Sequence, residues 1–227
     1  MKKVGILCAS DTELAPFLQE LEVVRSTEKA MLKFWEGNIR KIPVVAVYSG
    51  VCRVNAAIAA ELLIECFGVD GIVNAGTAGG MAPRVKLFDT VVAERSVYHD
   101  VAEDILTEFH PWMPSVYFPA DRGLLSAAEK YAKAQDIPLW FGTIATGEMF
   151  VSGKGRERLC QAYAPLAVDM ETAGAAHVCY VNSVPFLAVR SITDTAEGSR
   201  EADFEANCEK ASAIAAKAVL GLLREWV

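Results

Sequence analysis

Val54-Asn55-Ala56-Ala57-Ile58-Ala59-Ala60-Glu61-Leu62-Leu63 leads, after a short connection, into Gly71-Ile72-Val73-Asn74-Ala75 and then Gly76-Thr77-Ala78-Gly79-Gly80. The alanine-rich segment has high helix propensity and small side chains suited to close packing on a sheet. The run that follows is apolar at successive positions, as in a strand covered by helices on both faces. Strand-length apolar runs alternate with helix-length patterns in both directions from here, which implies an α/β fold with a central sheet. Strands are expected at 3–8, 42–48, 71–75, 90–98, 140–146, 166–168 and 186–192, and helices at 13–22, 54–67, 122–134, 155–164, 172–182 and 206–226. Between 99 and 120 the periodicity fails, and Pro111, Trp112, Met113, Pro114, Tyr117, Phe118 and Pro119 read as a long irregular connection, of the kind used for lids or partner contacts.

A chain of 227 residues that is 52 % apolar can bury one large core without disulfides, and no composition break marks a linker, so a single domain over 1–227 is expected. Acidic residues outnumber Lys+Arg by 29 to 22, and no basic cluster is dense enough to follow a phosphate backbone, which argues against a nucleic-acid partner. The longest apolar stretches, 43–47 and 72–82, fall well short of the ~20 residues that span a bilayer, so no membrane segment is expected. Asp11 and Glu13 interrupt the first apolar run too early for a signal peptide. It reads as a first strand, and the location as cytoplasmic. The six cysteines show neither a Cys-x-x-Cys pair nor a histidine at ligand spacing, and read as reduced, mostly buried thiols with no metal site.

Four places carry residues suited to chemistry. Asn74 to Gly80 reads as a glycine-rich turn after a strand, where bare backbone can approach a ligand or simply turn tightly. It is neither a Walker loop nor a dinucleotide fingerprint. In Val168-Asp169-Met170-Glu171-Thr172 a short strand runs into a helix, and ligands of open α/β sheets sit at such carboxyl ends. A carboxylate there either accepts hydrogen bonds from two vicinal hydroxyls or caps the helix. Val189-Arg190-Ser191-Ile192-Thr193-Asp194 puts two charges in an apolar strand context, where an unpaired charge is expensive to bury. In Ala9-Ser10-Asp11-Thr12-Glu13, Glu13 is either a first-turn helix acid or a site residue.

Taken jointly, Glu13, Ser49-Gly50-Val51, Asn74 to Gly80, Tyr98-His99-Asp100, Gly147 to Val151, Val168 to Glu171 and Arg190 to Asp194 resemble the 5′-methylthioadenosine/S-adenosylhomocysteine nucleosidases of the nucleoside phosphorylase superfamily, over nearly the whole chain. The resemblance implies a single-domain three-layer sandwich with a central mixed β-sheet flanked by helices, and cleavage of the N-glycosidic bond of adenine nucleosides without metal or organic cofactor. It implies that Asp194 is the general acid on adenine N7, that Glu13 activates the attacking water, and that Arg190 and Thr77 orient that water. Glu171 then holds the ribose hydroxyls, Met170 packs on the sugar, Phe150 stacks on the base, the Val151 backbone reads its edge, and Phe204, after the segment 197–203, lines the pocket. It also implies a homodimer.

The chain departs from the family pattern where Cys52-Arg53 replaces the more usual Gly-Lys, where Glu148-Met149 stands for Asp and a small residue, and in the segment after Asp100 that faces the 5′ group. A phosphate-dependent purine nucleoside phosphorylase is the nearest alternative, but acids occupy the place after strand one where phosphate needs cations. A non-catalytic nucleoside-binding protein has no need of three carboxylates together.

Overall fold

The computed structural model describes residues 2–151, 153–195 and 200–226, and the side chains of 200–202 fall outside the described set, as does most of the expected segment 197–203. In chain order the elements are β1 (Val4–Cys8), α1 (Asp11–Glu20), β2 (Glu22–Lys29), β3 (Leu32–Ile39), β4 (Ile42–Tyr48), α2 (Arg53–Glu65), β5 (Gly71–Gly80), β6 (Thr90–Tyr98) and α3 (Glu103–Glu108). They continue with β7 (Tyr117–Pro119), α4 (Arg122–Gln135), β8 (Leu139–Thr146), α5 (Gly153–Tyr163), β9 (Ala167–Asp169), α6 (Thr172–Val181), β10 (Phe186–Asp194) and α7 (Arg200–Trp226).

Side chains alternate between the two faces of a strand, and each face here meets its own apolar cluster. On β1, Val4, Ile6 and Cys8 join α1, α4 and α7 through Leu14, Phe17, Leu124, Val219 and Leu222. Leu7 points the other way, to α2 and α6, with Ala56, Ala59, Leu63, Ala173 and Ala176. The Ala-rich sequence of α2 lets its backbone lie close on the sheet. Helices therefore cover both faces of a mixed sheet, as the alternation of patterns predicts.

The sheet runs β10-β6-β8-β9-β5-β1-β4-β3-β2, with β7 on β6, and β10 also pairs with β5. That last pairing closes β5, β10, β6, β8 and β9 into a ring, so the sheet is not open throughout. One edge of β5 pairs with β10 from Ile72 to Gly79. The other edge pairs with β1 only as far as Asn74 and with β9 only from Gly79. Between those two partners the edge is split, and the crevice forms there, at the carboxyl end of β1.

Several expectations need correction. Asn74 to Gly80 is not a turn but the greater part of β5, because β10 supplies ladder partners as far as Gly79 and β9 pairs with Gly79 and Gly80. The hairpin β2–β3 was not expected: every residue of β2 is exposed, so no two-fold apolar alternation marks it. The irregular segment 99–120 contains α3 and β7. Of the six cysteines, Cys8, Cys179 and Cys208 are buried and Cys66 is exposed. Among the described residues no helix is long and apolar enough to cross a membrane.

Leu63 is fully buried between α2 and the sheet. Leu63→Ala is expected to cost about 2–5 kcal/mol of unfolding free energy in urea titration.

Candidate active site

The split edge of β5 is where backbone donors lack strand partners. Thr77 N–H lies past the last β1 pairing and donates to Glu13 Oε1 at 2.8 Å, as does Thr77 Oγ1 at 2.8 Å. Ala9 N–H, at the end of β1, donates to Glu13 Oε2 at 2.8 Å. Ser10 caps α1 by accepting from Glu13 N–H at 3.2 Å, which fixes Glu13 in the first turn with its carboxylate turned inward. Three donors thus hold an almost fully buried carboxylate.

Arg190 lies on β10 directly opposite Gly76 of β5. A Cβ at position 76 would come within 2.5 Å of both Arg190 Nη1 and Glu13 Oε1, so only glycine leaves room for the guanidinium beside the carboxylate. Arg190 is fully buried, with Nε 2.8 Å from Asp169 Oδ2 and Nη2 donating to Asn74 Oδ1 at 2.6 Å and Thr172 Oγ1 at 3.1 Å. Its Nη1 is one of the buried polar atoms without a hydrogen-bond partner among the described residues. Such a donor in a buried site calls for a water or a ligand oxygen.

The two acids at the β9–α6 junction divide the roles left open by the sequence. Asp169 accepts from Thr172 N–H at 3.3 Å, from Thr146 Oγ1 at 2.7 Å and from the Thr172 hydroxyl, and so it caps α6 and anchors Arg190. Glu171 makes no side-chain cap. It accepts from Cys52 N–H at 2.9 Å and lies 3.6 Å from Arg190 Nη2. Burial pushes the Glu171 carboxyl up to about 7 against the pull of Arg190, and Asp169 and Glu13 add to the rise. Asp194, at the end of β10, accepts from Thr193 Oγ1 at 3.0 Å and packs against Gly79.

These groups surround one cavity of about 310 Å³. Glu13, Thr77, Met170, Glu171 and Asp194 line it, together with Phe150, Val151 and Phe204. The Phe150 and Phe204 rings meet edge to face, 6.4 Å between centroids and inclined by 68°. Phe204 sits on α7, which begins earlier than the pattern of apolar residues predicts. Every expected site residue except Arg190 touches the cavity; Arg190 lies beneath it. Sequence reasoning missed Asn74 as the amide that ties Arg190 to Leu7 O, and Arg156, which lines the cavity while donating to Gly80 O and Met81 O, each at 2.7 Å. No spacing pattern marks either. Among the described residues there is no cluster of His, Cys, Asp and Glu able to hold a metal ion.

The raised Glu171 carboxyl has a thermodynamic signature. Between about pH 4.5 and 7 the native state holds a proton there that the unfolded chain has lost, so this group lowers stability as pH rises through that window. Glu171→Gln removes that slope: relative to the parent, its unfolding free energy is expected to gain on the order of 3 kcal/mol across the window in chemical denaturation of the ligand-free protein.

Residues 3–224 match the family model described as the phosphorylase superfamily. A 5′-methylthioadenosine/S-adenosylhomocysteine nucleosidase of Oceanobacillus iheyensis is 32 % identical over 227 residues, covering 98 % of this chain and 99 % of the relative. A solved mutant of the Helicobacter pylori nucleosidase of that name, with 5′-methylthioadenosine in its active site, superposes with a TM-score of 0.91 at 30 % identity, covering 99 % of both chains. A futalosine hydrolase from the same organism gives 0.90 at 31 % identity, covering 99 % of this chain and 98 % of that one. With a full-length family match and relatives above 30 % identity, this chain belongs to the phosphorylase superfamily and, within it, to the 5′-methylthioadenosine/S-adenosylhomocysteine nucleosidases.

Proposed function

We propose that the protein hydrolyses the N-glycosidic bond of 5′-methylthioadenosine, S-adenosylhomocysteine or a related 5′-substituted adenosine, releasing adenine. The observation that carries this reading is the placement of Glu13, Glu171 and Asp194 around one cavity that the aromatic rings of Phe150 and Phe204 also line. Adenine stacks on Phe150, and the Val151 backbone reads its edge. Asp194 protonates N7, so that a neutral base leaves; a positioned acid of this kind is worth roughly 10²–10⁴-fold. The ribosyl group left behind is oxocarbenium-like. Glu171 accepts hydrogen bonds from the 2′ and 3′ hydroxyls and sets its charge beside the developing cation, while Met170 packs on the sugar. Those bonds favour the ionised carboxylate, opposing the rise that burial imposes.

Glu13 takes the proton of the attacking water. A carboxylate offers about four acceptor sites, and Ala9 and Thr77 use three, which keeps one for the water. Arg190, beneath the cavity, is suited to orient it, since its buried Nη1 has no hydrogen-bond partner among the described residues. Phosphate as nucleophile is disfavoured by Glu13 at that wall and by the commitment of Arg190 to Asp169. No metal or organic cofactor enters this scheme. All of it lies in one domain over 1–227, with the sheet as the middle of three layers. A cytoplasmic homodimer completes the reading; Phe109 and Trp112, both more than half exposed, support a covered face on the 99–120 segment. Sedimentation at the monomer mass would remove that part.

Adenine release from 5′-methylthioadenosine, S-adenosylhomocysteine and adenosine, with and without phosphate, tests the proposal and ranks the 5′ groups. Phosphate-independent release is expected. It falls by roughly 10²–10⁴-fold in Asp194→Asn and in Glu13→Gln, with both variants still folded. Strict dependence on phosphate would make the protein a phosphorylase.

A further inference from the structure

Two of the three places where the chain departs from the family pattern, Cys52-Arg53 and Glu148-Met149, meet in space. Arg53 opens α2, and its Nη1 donates to Asp100 Oδ1 at 2.6 Å, while its Nε lies 3.3 Å from Glu148 Oε1. Asp100 Oδ2 in turn accepts from Glu148 N–H at 3.3 Å. One guanidinium thus joins the start of α2, the end of β6 and the loop after β8, and its planar fork is what lets it serve two carboxylates at once.

Each arm of this cluster leads to the cavity. Cys52, next to Arg53, carries the N–H that holds Glu171 Oε1, and it does so at φ +81°, a conformation that a non-glycine residue adopts only when its neighbours enforce it. The backbone of Arg53 is wedged against Gly174 of α6, where a Cβ would lie 2.7 Å from Arg53 O. Glu148 precedes Met149, Phe150 and Val151, which line the cavity but belong to no helix or strand. The loop is fixed at its start by Gly147 N–H to Asp169 O at 3.1 Å and by the His99 ring packed on Gly147, and then by the two contacts of Glu148. The three side chains are 25–38 % exposed, in the range where ion pairs add little to stability.

We infer that Arg53, Asp100 and Glu148 form a positioning cluster that sets the aromatic base-binding loop and the ribose-binding carboxylate Glu171 in register with each other. It touches no reacting atom and acts through Phe150 on one side and Cys52 on the other. This rests on the reading of the cavity as an adenine-nucleoside site.

The test combines steady-state kinetics on 5′-methylthioadenosine with calorimetric binding of adenine, which needs no turnover. Arg53→Met is expected to weaken adenine binding and raise KM by roughly tenfold, with a smaller fall in kcat, and Glu148→Gln by roughly threefold. Because the residues act as one unit, Arg53→Met/Glu148→Gln should be no worse than Arg53→Met alone, within about twofold. Arg53→Lys keeps the charge but not the fork, and should recover less than half of the loss. Adenine affinity within about twofold of the parent in both single variants overturns the inference, as does a loss that follows the folded fraction in circular dichroism. If Arg53→Met does not fold, Glu148→Gln and Asp100→Asn decide by the same readouts. A parent protein that neither binds nor releases adenine would instead defeat the functional reading itself.

Discussion

A fully buried guanidinium is the constraint around which this site is arranged. Moving such a cation out of water costs more than a single ion pair returns, and a buried pair is weak evidence for stability. Arg190 is tolerable only because Asp169, Asn74 and Thr172 converge on it from three elements. That convergence dictates much else. Gly76 has to be bare, Asn74 has to bridge to β1, and Asp169 has to spend its oxygens on α6 and on Arg190 rather than on the cavity. Glu171, left with one backbone donor and a distant guanidinium nitrogen, keeps the acceptor capacity that a diol needs.

How far the sequence foretells this differs from place to place. The alternating pattern of apolar strands and helices reads correctly because β1 and β10 are buried throughout and β4 and β5 at nearly every residue, on both faces. The β2–β3 hairpin leaves no such mark, since one of its strands is entirely exposed and its partner only partly buried. The glycines of β5 mislead in an instructive way. Glycine usually signals a turn, but Gly76 is there to make room for side chains arriving from α1 and β10, a demand that exists only in three dimensions.

The candidate site follows the same logic. Arg190 and Asp194 stand out in the chain because charge in an apolar strand requires explanation, and Glu171 because it follows a strand's carboxyl end, whereas Glu13 reads equally as a first-turn helix acid until the other residues are taken with it. Asn74 does not stand out, because an amide inside a strand looks like any polar residue until its two partners, Leu7 O and Arg190, are seen. Nor does the difference between Asp169 and Glu171 follow from spacing: Asp169 is engaged by the start of α6 and by Arg190, and Glu171 makes no side-chain cap.

The long pairing of β5 with β10 also makes the two walls of the cavity unlike. From Ile72 to Gly79 it is laddered to β10, so the wall that carries Thr77 and braces Glu13 and Arg190 cannot swing without tearing hydrogen bonds along the middle of the sheet. The opposite wall has no ladder: Met149 and Phe150 sit on a loop, 71 % and 51 % exposed. The cavity therefore has one wall held by a strand ladder and one held only by a loop.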